Sequence, residues 1–261
     1  MKQIFTQELK EIQISILKRV ADFCDKNEIT YFLAFGTLIG AIRHNGYIPW
    51  DDDIDIAMPR PDYDLFISSF NNEDSHIKVI SMENNKQYGF SFAKAHDTRT
   101  IVNETQYAQD HFGVYIDIFP IDGIKDIPQI YRLRRINKLL HTKKANFSQR
   151  TFSKKVINAI GKIILLPFSV HTILKIIDQI SRQCPFGSTP KAGCICDSVV
   201  GERAMVDTEV FSSSIMHDFE GYQFKIPIGY DTWLRKIYGD YMQLPPEDKR
   251  KTHHVFEAWW K

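Results

Sequence analysis

The sequence predicts an α+β (mixed α/β) fold: a central mixed sheet flanked by helices, with a helical insertion. Three observations carry this. Leu9, Ile12, Ile16, Val20 and Phe23 recur at the spacing of one helix face. Short apolar runs bounded by turn residues follow one another from Glu28 to Phe119, the pattern of strands. From Ile127 to Ile177 there is no Asp or Glu, and the basic and apolar residues there read as amphipathic helix.

The elements can be placed in order. Thr6 is the expected N-cap of the first helix. Glu28 to Phe35 reads as the first strand. Leu38, Ile39, Ala41 and Ile42 give the next segment a helical stripe, which Asn45-Gly46 ends as a cap. Pro59 and Pro61 close the following strand, and Tyr63 to Phe70 looks helical. Ile77 to Met82 and Gly89 to Ala95 read as two strands of a hairpin. Tyr88, Phe90, Phe92 and Lys94 would share one face of the second. In a strand from Gly113 to Phe119, Val114, Ile116 and Ile118 share one face, and Tyr115, Asp117 and Phe119 the other.

The 261 residues suffice for a sizeable core. The expected division is a catalytic core over residues 1–126, a basic and apolar helical insertion over 127–183, and a segment over 184–261 that completes the catalytic domain. Lys and Arg number 33 against 32 Asp and Glu, so the chain carries no overall nucleic-acid signal. Met1 to Cys24 is charged and amphipathic, unlike a signal peptide, and a cytoplasmic location is expected. Cys24, Cys184, Cys194 and Cys196 form no spaced disulfide framework and are expected to be reduced. Zinc held by Cys184, Cys194 and Cys196 would need a spacing unlike that of common zinc sites.

The chemistry concentrates between Gly36 and Ile56. On a strand, Asp51, Asp53 and Asp55 would share one face, while Asp52, Ile54 and Ile56 share the other. Clustered carboxylates raise one another's pKa unless a cation neutralises them. Hard oxygen ligands shared with substrate phosphates suit Mg²⁺ or Mn²⁺. Gly36 and Thr37 sit at a strand-to-helix junction, where backbone N–H groups and the helix dipole favour phosphate. Arg43 is a candidate bidentate phosphate donor. Lys94 reads either as a phosphate partner or as a solvated strand-end lysine. Asp117, alone in an apolar strand, is the expected third metal carboxylate, with Asp122 the weaker alternative.

The segment GTLIGAIRHNGYIPWDDDIDIAM resembles the signature of the LicD family, the lipopolysaccharide and teichoic-acid choline phosphotransferases related to fukutin-related enzymes. Phe92-Ala93-Lys94, Tyr115 to Pro120, Tyr238-Gly239-Asp240, Pro245-Pro246 and His253-His254 extend the resemblance. It implies a nucleotidyltransferase-like fold, with Asp53, Asp55 and Asp117 as the metal carboxylates. It further implies transfer of phosphocholine, or a similar phospho-alcohol, from a CDP-choline-type donor to a sugar hydroxyl of a surface-glycan precursor. Asp51 or Asp117 would take the proton from the attacking hydroxyl. Tyr47, Trp50, Tyr115 and Phe119 are candidates for an aromatic cage around a quaternary ammonium, or are simply core. His253 or His254 would enter the cleft, or pack at the surface. Two other classes stay open: transfer of the nucleoside monophosphate itself, and a non-catalytic glycan- or lipid-binding relative.

In the acid-free middle, Arg132, Arg134, Arg135, Lys138, Lys143 and Lys144 precede an apolar run from Val156 through Leu166. This reads as peripheral contact with anionic lipid at the inner membrane face or with an anionic glycan. The alternative is packed helices with a solvated basic face.

Overall fold

The computed structural model describes residues 1–73, 75–104, 112–144, 165–250 and 256–261. The chain runs β1 (Gln3–Ile4), α1 (Thr6–Lys26), β2 (Phe32–Leu33), α2 (Phe35–His44), β3 (Asp55–Pro59), α3 (Arg60–Ser69), β4 (Ile77–Ile80), β5 (Ala93–Asp97), β6 (Thr100–Glu104) and β7 (Tyr115–Gly123). It continues through α4 (Ile127–Lys144), α5 (Val170–Ser181), β8 (Lys191–Gly193), β9 (Val206–Asp207), β10 (Ser214–Phe219), β11 (Tyr222–Pro227), α6 (Tyr230–Tyr238) and β12 (Phe256–Trp260).

The central sheet has the order β2-β3-β7-β5-β4, with β8 on the far end of β7 and β9 on β8. Only β3 and β7 are parallel among these described pairs, so the sheet is mixed, as predicted. Both strands are buried along almost their whole length, which is why they read as apolar runs. Pro120 is tolerated inside β7 for a specific reason. The Asp117 N–H points to β3, so the N–H positions of even-numbered residues point the other way. At Pro120 that side has passed the end of β5 and not yet met β8. No ladder bond is lost.

The helix α1 packs on β5 and β7 through Leu9, Ile12, Ile16, Val20 and Phe23, the predicted face. Its cap differs from expectation. Phe5 holds the N-cap position and Thr6 is already helical, with no side-chain cap. Burial of the apolar stripe fixes this helix without one. A separate sheet, β1-β12-β6, and the hairpin β10–β11 complete the described strands.

Several strands are shorter than, or shifted from, their predicted spans. Of Glu28 to Phe35, only Phe32 and Leu33 find partners, at Ala57 and Ile56. Glu28 turns at φ 57° and Phe35 already begins α2. Of Gly89 to Ala95, only Ala93 onward is strand. The alternation there still holds, because the rings of Tyr88, Phe90 and Phe92 stand in succession at 5.5 Å spacing. The strand predicted to end at Phe119 continues to Gly123.

α4 and α5 pack on each other, and ion pairs fasten α5 to the core. Arg60, at the start of α3, forks onto Asp122 of β7 at 2.7 and 2.6 Å and reaches Asp178 of α5 at 3.3 Å. Arg182 joins Asp178 to Asp64. Asp122 is therefore not a metal carboxylate: it is 1% exposed and held by a bidentate guanidinium. Breaking such a buried pair leaves an uncompensated charge, so Asp122→Ala should cost about 3–5 kcal/mol of stability. Urea unfolding measures this, and Mn²⁺ affinity measured alongside should not change.

Candidate active site

The site begins with strand register. Parallel pairing sets Asp55 of β3 beside Asp117 of β7, and antiparallel pairing sets Lys94 of β5 on the other side of Asp117. Partners in register project to the same face, so the three charged side chains form a row across the sheet. Lys94 Nζ lies 2.6 Å from Asp117 Oδ1.

Just before β3, residues 51–54 form no ladder. The Asp51 N–H instead donates to the Ile48 carbonyl at 2.8 Å, in a turn. This corrects the parity reading at one residue. Asp52 does not point away: carboxylate oxygens of Asp51, Asp52 and Asp53 all lie within 4.8 Å of one another. Ile54 and Ile56 are fully buried, as predicted. Among the described residues, Asp51–Asp53 is the one group of three or more acidic, His or Cys side chains close enough to share a metal ion. Asp55 and Asp117 stand alongside it.

The first turn of α2 faces this cluster. A Cβ on Gly36 would lie 2.8 Å from Asp51 Oδ2, so glycine is what lets the carboxylate reach the helix N-terminus. The Thr37 hydroxyl accepts a hydrogen bond from the Asp55 N–H at 2.8 Å. It thereby ties the helix to the first residue of β3. Phe35, immediately before, is held at φ 47°, a left-handed conformation rare for a bulky residue. Its ring packs against Phe119 and Trp233 at 5.1 and 5.7 Å, which fixes it there. At the other end, Asn45 closes α2 in the left-handed conformation, as predicted.

Electrostatics marks the same corner. Burial pushes the Asp55 carboxyl well up, and Asp53, Asp117 and Asp51 push it further, against Lys94. The Asp197 carboxyl is pushed up to about 6, first by desolvation and then by the Asp117 charge. The Tyr238 hydroxyl is raised by burial around its oxygen, then by the charges of Asp55, Asp51 and Asp53. Neither Asp197 nor Tyr238 was picked out from its local pattern. Tyr238 sits in a segment that resembles the family; Asp197 lies in an irregular stretch with no periodicity to read.

A set of hard oxygen donors held together against their own repulsion fits a divalent cation such as Mg²⁺ or Mn²⁺. Asp51, Asp52 and Asp53 offer oxygens close enough to share it, with Asp55 and Asp117 adjoining in register.

The remaining predicted residues are placed as follows. Arg43 lies in the last turn of α2, away from Gly36. It donates to His44 Nε2 at 2.9 Å and to the Tyr241 carbonyl. Lys94 is not a solvated lysine, being 2% exposed. Trp50 lines a cavity of about 290 Å³ with Phe5, Pro49, Asp51 and Asp52, and the Arg250 guanidinium lies 5.7 Å from its ring. Tyr115 is covered by the Lys94 ammonium at 3.6 Å from its ring centre. Tyr47 and Phe119 are core: the Tyr47 hydroxyl donates to Gln13, and Phe119 stacks on Phe92. His253, His254 and most of the apolar run from Val156 lie outside the described residues. Cys194 and Cys196 are buried thiols whose pKa burial raises strongly.

A parallel strand pair presents carboxylates below a Gly-Thr helix start, the arrangement that the resemblance to a nucleotidyltransferase-like domain implies. The LicD family profile, described as the nucleotidyltransferase domain of LicD, FKTN and FKRP, matches residues 28–170. The lipopolysaccharide cholinephosphotransferase LicD of Haemophilus influenzae is 33% identical over 266 residues, covering 99% of both chains. Uncharacterized proteins of Rickettsia prowazekii and Rickettsia typhi are each 45% identical over 47 residues, 18% of this chain and 18% and 15% of theirs. The chain belongs to the LicD family.

Gly36 gives a direct test of the geometry. Alanine is favoured over glycine in a helix by about 1 kcal/mol, so Gly36→Ala should not lower the melting temperature. Its Cβ must displace the Asp51 carboxylate, and turnover should fall about tenfold or more.

Proposed function

We propose that this chain is a phosphotransferase for a substituted phosphate. It moves phosphocholine, or a related phospho-alcohol, from a CDP-activated donor to a sugar hydroxyl of a cell-surface glycan precursor. The observation that carries this is the carboxylate cluster set against the first turn of α2. The name of the Haemophilus relative supports choline as the alcohol and lipopolysaccharide as the acceptor. A divalent ion at Asp53 and Asp55, with Asp117 adjoining, would supply charge neutralisation for the diphosphate and its leaving group.

The chain's own groups do the rest. Backbone N–H groups of the first turn of α2 have no partner within the helix and would face the donor phosphates. Gly36 leaves the space in which the Asp51 carboxylate reaches the same turn. Thr37 keeps Asp55 in register with the helix. Asp117 Oδ1 is engaged by Lys94, so Asp51 is assigned to accept the proton of the attacking sugar hydroxyl. The new bond forms from the sugar oxygen to the phosphorus that bears the alcohol. The bond from that phosphorus to the bridging oxygen breaks, and CMP leaves.

Arg132, Arg134, Arg135 and Lys138 are exposed along α4, which supports contact with an anionic glycan or lipid surface. No helix among the described residues is long and apolar enough to cross a membrane.

A screen of CDP-choline, CDP-ethanolamine, CDP-glycerol and CDP-ribitol with Mg²⁺ or Mn²⁺, read by mass spectrometry, tests the reading. CMP release with transfer of the phospho-alcohol is expected. Transfer of the CMP moiety itself would make the chain a nucleotidyltransferase. Asp53→Asn or Asp55→Asn should remove about 4 kcal/mol of transition-state stabilisation, roughly a thousandfold in turnover. Near-parental turnover in either variant would sink the assignment.

A further inference from the structure

Lys94 is enclosed in a way that phosphate binding does not require. Its side chain is 2% exposed, and lysine is almost never buried without a partner. Four rings surround the ammonium: Tyr115 at 3.6 Å, Phe90 at 4.6 Å, Phe92 at 5.3 Å and Phe112 at 5.5 Å from their centres. Ring faces attract a cation. Together with Asp117 Oδ1 at 2.6 Å they replace the water that the ammonium has lost. A lysine that served only to bind phosphate would present its tip to the cleft. This one is turned onto a carboxylate and walled in, so it cannot swing aside when a second cation arrives.

We propose that Lys94 is a resident countercharge that makes divalent-metal binding at the carboxylate cluster depend on the donor's phosphates. This rests on the metal-dependent reading above. Asp117 adjoins Asp55 in register, so a fixed positive charge on Asp117 also weakens the pull of Asp55 on any other cation. Without donor, the ammonium offsets part of the cluster and repels a bare metal ion. The donor diphosphate brings the negative charge that restores the balance, and metal and donor are held together. Lys94 is a positioning residue in this account: it acts through Asp117 and touches neither substrate.

The test is Mn²⁺ binding, followed by calorimetry or by the electron-paramagnetic signal of free Mn²⁺, with and without cytidine diphosphate. The parent should bind Mn²⁺ about tenfold or more tighter when the nucleotide is present. Lys94→Met should bind Mn²⁺ alone about tenfold tighter than the parent and lose most of the nucleotide dependence. Lys94→Arg keeps the charge and should keep the weak binding of Mn²⁺ alone. Lys94→Met binding no tighter than the parent overturns the proposal, as does Lys94→Arg behaving like Lys94→Met. If Lys94→Met is too unstable to titrate, its melting temperature is followed against Mn²⁺. A larger rise than the parent's is expected, and an equal or smaller rise overturns the proposal. A parent that binds no Mn²⁺ with or without nucleotide would bring down the metal-dependent reading itself. A parent that binds Mn²⁺ while Lys94→Met fails to tighten it would bring down only the role of Lys94.

Discussion

Mutual repulsion among carboxylates governs this structure. Asp51, Asp52 and Asp53 are held with oxygens within 4.8 Å of one another, and Asp55 and Asp117 adjoin them. Left to themselves such groups separate or take up protons. Each neighbouring feature opposes one of those escapes. The parallel pairing of β3 and β7 fixes Asp55 beside Asp117. The Thr37 hydroxyl holds the Asp55 backbone, and the missing side chain of Gly36 lets Asp51 come up to the helix N-terminus. Lys94 offsets Asp117. In the proposed reaction, a divalent cation and the donor phosphates would relieve that repulsion.

The scaffold beneath is correspondingly stiff. Arg60 links α3, β7 and α5 through Asp122 and Asp178, and Arg182 ties α5 to α3 through Asp64. The Arg60–Asp122 pair lies in the C-terminal half of β7, past Asp117. One strand thus carries a carboxylate at the candidate site, Asp117, in its first half and a structural one, Asp122, in its second. The difference lies in what faces each: a lysine and another carboxylate for Asp117, a forked guanidinium for Asp122.

Much of this was legible in the sequence, for physical reasons. The helix face of α1 follows from periodicity alone, and the left-handed cap at Asn45 follows from residue type. The alternation of Asp53 and Asp55 with Ile54 and Ile56 follows from the pleat. What failed was whatever depends on partners distant in sequence. The parity rule misplaced Asp52 because it lies ahead of β3, next to the turn in which the Asp51 N–H donates to Ile48. Lys94 stayed open between a phosphate partner and a solvated lysine because two of its four rings, Phe112 and Tyr115, come from a separate strand approach. Asp122 stayed a weaker metal candidate in the sequence because its partner, Arg60, lies sixty-two positions earlier. Asp197 lies in an irregular segment and is brought near Asp117 only by the fold.

The central claim is that one carboxylate cluster at the start of α2 binds a divalent ion together with a nucleotide diphosphate. Crystals grown with Mn²⁺ and CDP-choline, measured at a wavelength where manganese scatters anomalously, test it most directly. The account predicts an anomalous peak within coordination distance of Asp53 and Asp55, with the diphosphate between that peak and the first turn of α2. Nucleotide bound elsewhere, or a well-ordered complex with no peak at these carboxylates, would contradict it.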